Sequence, residues 1–143
     1  MIQDKNIRDN QVSQSVSLEC VDGSGQAMVL DGVLGYVVAD PYAVSMTFRT
    51  SSGDVIWTFA RDLMVRGLTT AAGDGDVHVW PCLDNSGDAI VIVELSSPDG
   101  ELLVQVPTRE LYRFVNRTLA LVPVGNESEY VNIDRLIEQL MAA

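Results

Sequence analysis

Few residues in this chain are of types suited to chemistry, and their spacing does not gather them. His78 is the sole histidine, set between Val77 and Val79 in an apolar stretch. A general base needs an orienting partner and a nucleophile within reach. The sequence nominates neither, so His78 reads as a surface or half-buried strand residue. Asp74-Gly75-Asp76 has the Asp-x-Asp spacing of a calcium loop, but the further ligands and the distal glutamate of such a loop are missing. It reads as an acidic turn. Cys20 and Cys82 lack Cys-x-x-Cys spacing, which argues against a zinc site. Two distant cysteines are also no disulfide framework, so both read as reduced thiols. No Gly-x-x-x-x-Gly-Lys loop, Gly-x-Gly-x-x-Gly turn or Gly-x-Ser-x-Gly elbow occurs. No catalytic, metal-binding or cofactor-binding residue is assigned, and no enzyme is expected.

Charge is more informative. The chain carries 20 acidic residues against 9 basic ones, a formal charge of -11. A field of that sign repels phosphate backbones and anionic membranes and speeds encounters with basic partners. Against this background Arg109, Arg113 and Arg117 recur every fourth residue. On a helix they form one stripe, opposite Leu111, Phe114 and Val115. A solvated face is the default for such a stripe; contact with an acidic partner is its functional reading. Arg61-Asp62 reads as a local ion pair or a helix-start arrangement. Trp57 and Trp80 lie in strand-like segments and read as core or interface residues.

The elements that must position these residues are mostly strands. A chain of 143 residues suits one domain, here 11–143, after a polar tail at 1–10 that is expected to be flexible. Val12, Val16, Leu18 and Cys20 alternate with polar residues, the period of a half-buried strand. Ala27 to Val38 is apolar but broken by Asp31-Gly32 and Gly35, which predicts a bent or bulged strand. Tyr42 to Thr50 and Val55 to Phe59 alternate around a Ser51-Ser52-Gly53 turn. Val77 to Cys82, Ala89 to Leu95 and Leu102 to Val106 follow, the last two joined by Ser97-Pro98-Asp99-Gly100, a turn in which proline sets φ and glycine takes the left-handed position. Arg61 to Val65 predicts one short helical turn closed by Gly67. Leu111, Phe114, Val115 and Thr118 then share one helix face. Ile133, Leu136, Ile137, Leu140 and Met141 form a second amphipathic helix, with Asn132 as its N-cap. The sum is an α+β domain of about seven mostly antiparallel strands with two C-terminal helices. No apolar segment opens the chain, and no run approaches the ~20 residues that span a bilayer. A cytoplasmic protein is expected.

Four stretches in order resemble the SsgA-like proteins: Ala39-Asp40-Pro41-Tyr42-Ala43-Val44, Trp57-Thr58-Phe59-Ala60-Arg61-Asp62-Leu63, Gly73 to Pro81, and Leu95-Ser96-Ser97-Pro98-Asp99-Gly100-Glu101. The resemblance extends through Phe114 to Pro123. It implies a small acidic adaptor of actinobacterial sporulation and cell division, SsgB-like, acting at the septum. Its expected partners are the tubulin-like division GTPase or peptidoglycan machinery. It also implies a fold like the Whirly-type domains that bind single-stranded nucleic acid, and self-association, as a trimer. Single-strand nucleic-acid binding is the alternative function. It conflicts with the charge, since such binders need a basic groove with aromatic platforms.

Overall fold

The alternation of Val12, Val16, Leu18 and Cys20 becomes the buried face of β1 (Gln11–Asp22), with serine, glutamine and glutamate on its outer side. The structure, a computed structural model, describes residues 10–131 and 133–142. Most of the expected tail and the Asn132 cap lie outside the described residues. After β1 come β2 (Ala27–Val37), β3 (Ala43–Thr50), β4 (Gly53–Ala60) and helix α1 (Arg61–Gly67). Then follow β5 (Ala72–Asp74), β6 (Val77–Leu83), β7 (Ala89–Ser97), β8 (Gly100–Pro107) and helix α2 (Thr108–Leu121). A 3-10 turn (Glu127–Tyr130) leads to α3 (Ile133–Ala142). The element order is four strands and a helix, twice over, without any matching repeat in the amino acids.

All eight strands join one antiparallel sheet in the order β4-β3-β2-β1-β8-β7-β6-β5. β1 pairs with β2 along its whole length, but with β8 only through Glu19–Asp22. The sheet is therefore two four-stranded meanders joined by a short seam. Their inner faces share one core, which includes Leu18, Met46 and Phe48 from one half and Val79, Val93 and Val104 from the other. The buried face of α2 (Leu111, Phe114, Val115, Thr118) packs on β1, β7 and β8, and α1 packs on β5 and β6.

Two sequence expectations change. There are eight strands, not about seven. The extra one, β5, is three residues long, too short to display a period, and it contains Gly73 and Asp74, types depleted in strands. β2 carries no bulge either: its register against β1 runs unbroken from Val37 to Ala27. Gly32 instead sits on the inner face, where a Cβ would collide with the Leu18 side chain and the Thr47 carbonyl. The glycine reflects close packing. Gly67 is similar at the end of α1, where a Cβ would run into Val79 of β6.

Candidate functional site

Helix α2 positions the arginine stripe. It starts at Pro107, whose missing N–H costs nothing at a helix start, and Glu110 in the first turn suits the positive end of the helix. With its apolar face spent on the sheet, Arg109, Arg113 and Arg117 are all exposed on the other side. Residues four apart on a helix rise about 6 Å along its axis, so the stripe is about 12 Å long. Tyr112 is exposed on its flank. An open groove lies at its N-terminal end, lined by Asp88, Ala89, Pro107, Thr108, Arg109 and Tyr112. At the other end Arg117 Nη1 donates to Gln14 Oε1 at 3.3 Å. Gln14 in turn donates from Nε2 to the Glu110 carbonyl at 2.8 Å. One end of the stripe is thus tied to β1.

Of the two readings of Arg61-Asp62, the helix start holds, since α1 begins at Arg61 with Asp62 in its first turn, and the local ion pair does not. Arg61 makes no pair with Asp62, which instead accepts from Arg66 Nε at 2.7 Å on the surface of α1. Arg61 is 2% exposed and points into the protein. Its Nη1 donates to the carbonyls of Val122 at 2.7 Å and Thr118 at 3.3 Å, and its Nη2 donates to Glu127 Oε2 at 3.3 Å. The guanidinium lies 5.0 Å from the centroid of the Tyr36 ring. Tyr36 is itself held by its hydroxyl donating to the Pro41 carbonyl at 2.9 Å. The last turn of α2 has no basic residue of its own; Arg61 brings a cation to that negative end from across the fold. Glu127 closes the arrangement. Its own backbone N–H, then the Gly125 N–H and Arg61, hold its carboxyl below the usual carboxylate range against the opposing effect of burial. Burial pushes the Tyr36 hydroxyl up, and Arg61 counters it.

The other candidates stay apart. Asp74-Gly75-Asp76 makes the tight turn between β5 and β6. Among the described residues no three His, Cys, Asp or Glu side chains gather in a way that could hold a metal ion. His78 is half exposed, with Nδ1 3.5 Å from Glu94 Oε1 on the neighbouring strand. Cys20 is buried and Cys82 exposed, both as free thiols, and burial raises the Cys20 thiol above its ordinary range. Trp57 packs against the core. Trp80, half-buried, sits opposite Ile92 on the outer sheet face.

Sequence relatives agree with this architecture. Residues 30–127 match the family described as Streptomyces sporulation and cell division protein, SsgA. The sporulation-specific cell division protein SsgB of Frankia casuarinae is 41% identical over 129 residues, 90% of each chain. SsgB of Streptomyces coelicolor is 40% identical over 132 residues, 92% of this chain and 96% of that one. A solved SsgB structure, presented with mutations that correlate with longitudinal cell division during sporulation of Streptomyces coelicolor, matches at TM-score 0.77 with 43% identity, covering 84% of this chain and 94% of that chain. The SsgA-like sporulation-specific cell division protein of Thermobifida fusca matches at TM-score 0.80 with 35% identity, covering 90% and 94%. The class so defined is that of sporulation-specific cell division proteins with an antiparallel sheet backed by helices. Within it, the chain belongs to the SsgA-like family. Its role is in sporulation-specific cell division, and these relatives are named as cell division proteins, not as enzymes. No described helix is long and apolar enough to cross a membrane.

Proposed function

We propose that this protein is a non-catalytic cytoplasmic adaptor that helps localise the tubulin-like division GTPase or peptidoglycan machinery to septum sites, and that Arg109, Arg113 and Arg117 contact an acidic segment of that partner. The observation that carries the surface assignment is the stripe itself: three exposed arginines in line on α2, in a chain of net charge -11. Charge pairs at the rim of an interface act mainly on encounter rate and specificity, which suits a recruiter. Tyr112, beside Arg109 on the flank of the stripe, adds an aromatic anchor of the kind enriched at protein interfaces. Self-association, as a trimer, belongs to the same reading and would place several stripes in one assembly. The nucleic-acid alternative, tied to a Whirly-like fold, lacks a basic groove: β1, β6, β7 and β8 contain neither lysine nor arginine.

The test is binding of the purified division GTPase to wild type and to the R109A/R113A/R117A variant. Affinity is expected to fall at least tenfold on losing three charge contacts, at about 0.5 kcal/mol or more each, with the melting temperature lowered only by as much as Arg117→Ala, which loses its bond to Gln14, lowers it alone. Unchanged affinity, or a loss of binding that merely follows a loss of stability, would remove the stripe from the interface.

A further inference from the structure

The sheet has an outer face opposite the side on which α1 and α2 pack, and over β6, β7, β8 and β1 that face is apolar at its centre and acidic at its rim. The registers place Trp80, Ile92, Gln105 and Glu19 in one row across the four strands. A second row runs His78, Glu94, Leu103 and Val21. Ile90 and Ile92 are 7% and 6% exposed, yet they stand outside the main core cluster. By strand alternation they point away from the side on which α2 packs. An open groove of about 360 Å³ lies over them, with Glu19, Cys82, Asp84 and Gln105 among its walls. Solvated sheet faces normally alternate to polar side chains, and the outer side of β1 before Glu19 does so with Gln11, Ser13, Ser15 and Ser17. The half beyond the seam departs from that rule.

Its charge is one-sided. On this face the four strands carry Glu19, Glu94 and Glu101 and neither lysine nor arginine, while His78 stands 3.5 Å from Glu94. Asp84 adds to the same sign in the β6–β7 turn. The exposed arginines of α2 are on the opposite side of the sheet.

We propose that this outer face is a second docking surface, for a protein segment that sets one or two apolar side chains over Ile90 and Ile92 and flanks them with lysine or arginine. Charge complementarity chooses the partner: an apolar floor rimmed by carboxylates discriminates against acidic segments and draws basic ones in. This does not depend on the arginine stripe. The two faces have opposite charge preferences, and either can be occupied alone.

The experiment uses isotope-labelled full-length protein and two probe peptides, an amphipathic Leu/Lys peptide and its Leu/Glu counterpart. The Leu/Lys peptide is expected to shift amide signals of Glu19, Ile90, Ile92, Leu103 and Gln105 and the Trp80 indole; the Leu/Glu peptide is expected to leave them unchanged. E19K/E94K should weaken binding at least tenfold. D54K/D62K makes the same change of net charge elsewhere and should weaken it less than twofold. If E19K/E94K lowers the melting temperature, E19Q/E94Q takes its place, with at least a threefold loss expected. Shifts centred on other acidic loops, or equal losses in the control variant, would overturn the proposal. Conversion of a self-associated wild type to monomer by E19K/E94K would also overturn it, because the face would then belong to a second copy of the chain.

Discussion

Arg61 Nη1 donates to the Val122 carbonyl at 2.7 Å, joining the start of α1 to the residue that ends α2 across 61 positions of sequence. The same guanidinium touches Tyr36 of β2 and Glu127 of the C-terminal segment. Four parts of the chain thus meet at one buried cation. Such a charge is held only while its partners are in place, and deleting one member of a buried pair leaves the rest unsatisfied. Arg61→Ala is expected to destabilise the protein by about 3–5 kcal/mol, since it leaves the Val122 carbonyl without its side-chain donor and strips the cation from Glu127 and the end of α2. Arg61→Lys should recover only part of this, because an ammonium cannot reproduce the planar fork. Chemical denaturation of the two variants measures both effects. A loss under about 1 kcal/mol for the alanine variant would show that water replaces the guanidinium at little cost.

Glu127 gives the pH dependence. Its folded carboxyl titrates below the ordinary value of 4.5. The unfolded state therefore takes up its proton first as pH falls, and the stability linked to Glu127 is fully present above that ordinary value and lost as pH drops through the folded one. Asp22, lowered by the Ser24 hydroxyl and then the Gln26 N–H, works in the same sense. Denaturation midpoints between pH 7 and pH 3 should fall for wild type, and less steeply for Glu127→Gln. Equal slopes would remove Glu127 from the acid response.

The two thiols should separate cleanly. Cys82 is exposed, whereas Cys20 is 1% exposed with its thiol raised by burial. Because the thiolate is the reactive form, a disulfide reagent at neutral pH is expected to modify one cysteine in the native protein and both in denaturant. Fast native modification of Cys20 would mean that the end of β1 opens readily.

Gly67→Ala sets two effects of opposite sign against each other. In an open helix alanine would gain up to about 1 kcal/mol over glycine. Here its Cβ meets Val79, and forcing a methyl into a packed contact typically costs about 1–3 kcal/mol. Net destabilisation is expected, and a higher melting temperature would show that α1 can move away from β6.

Within the stripe the three arginines should differ in stability. Arg117→Ala loses the bond to Gln14 and is expected to cost about 0.5–1.5 kcal/mol. Arg109→Ala and Arg113→Ala should stay within about 0.5 kcal/mol of wild type, as surface substitutions usually do. Thermal melts of the single variants separate them.

Periodicity made most of this fold legible. The alternation in β1 and the spacing of Leu111, Phe114, Val115 and Thr118 on α2 depend only on local sequence, and both buried faces are as expected. β5 was hidden because three residues cannot show a period. Arg61 was hidden for a different reason: its acceptors lie 57 to 66 positions away, and its neighbour Asp62 offered a plausible local partner. The run Phe59-Ala60-Arg61-Asp62-Leu63-Met64-Val65 holds two adjacent charges, and nothing local tells which of them is buried. The exposed side of the stripe was legible from helical spacing, but its tether to Gln14 was not, because the two residues are 103 positions apart.

The short seam between β1 and β8 bears on how the chain finds this structure. Every other strand pairing joins consecutive strands and can zip up from its own hairpin with little entropy of closure. Only the pairing of Glu19–Asp22 with Leu102–Gln105 must bring together segments separated by roughly eighty residues. The contact order of the sheet is concentrated there. Each meander can take shape around its own turns, and the step that commits the chain to one sheet is the meeting of four residues at the end of its first strand with four on its last.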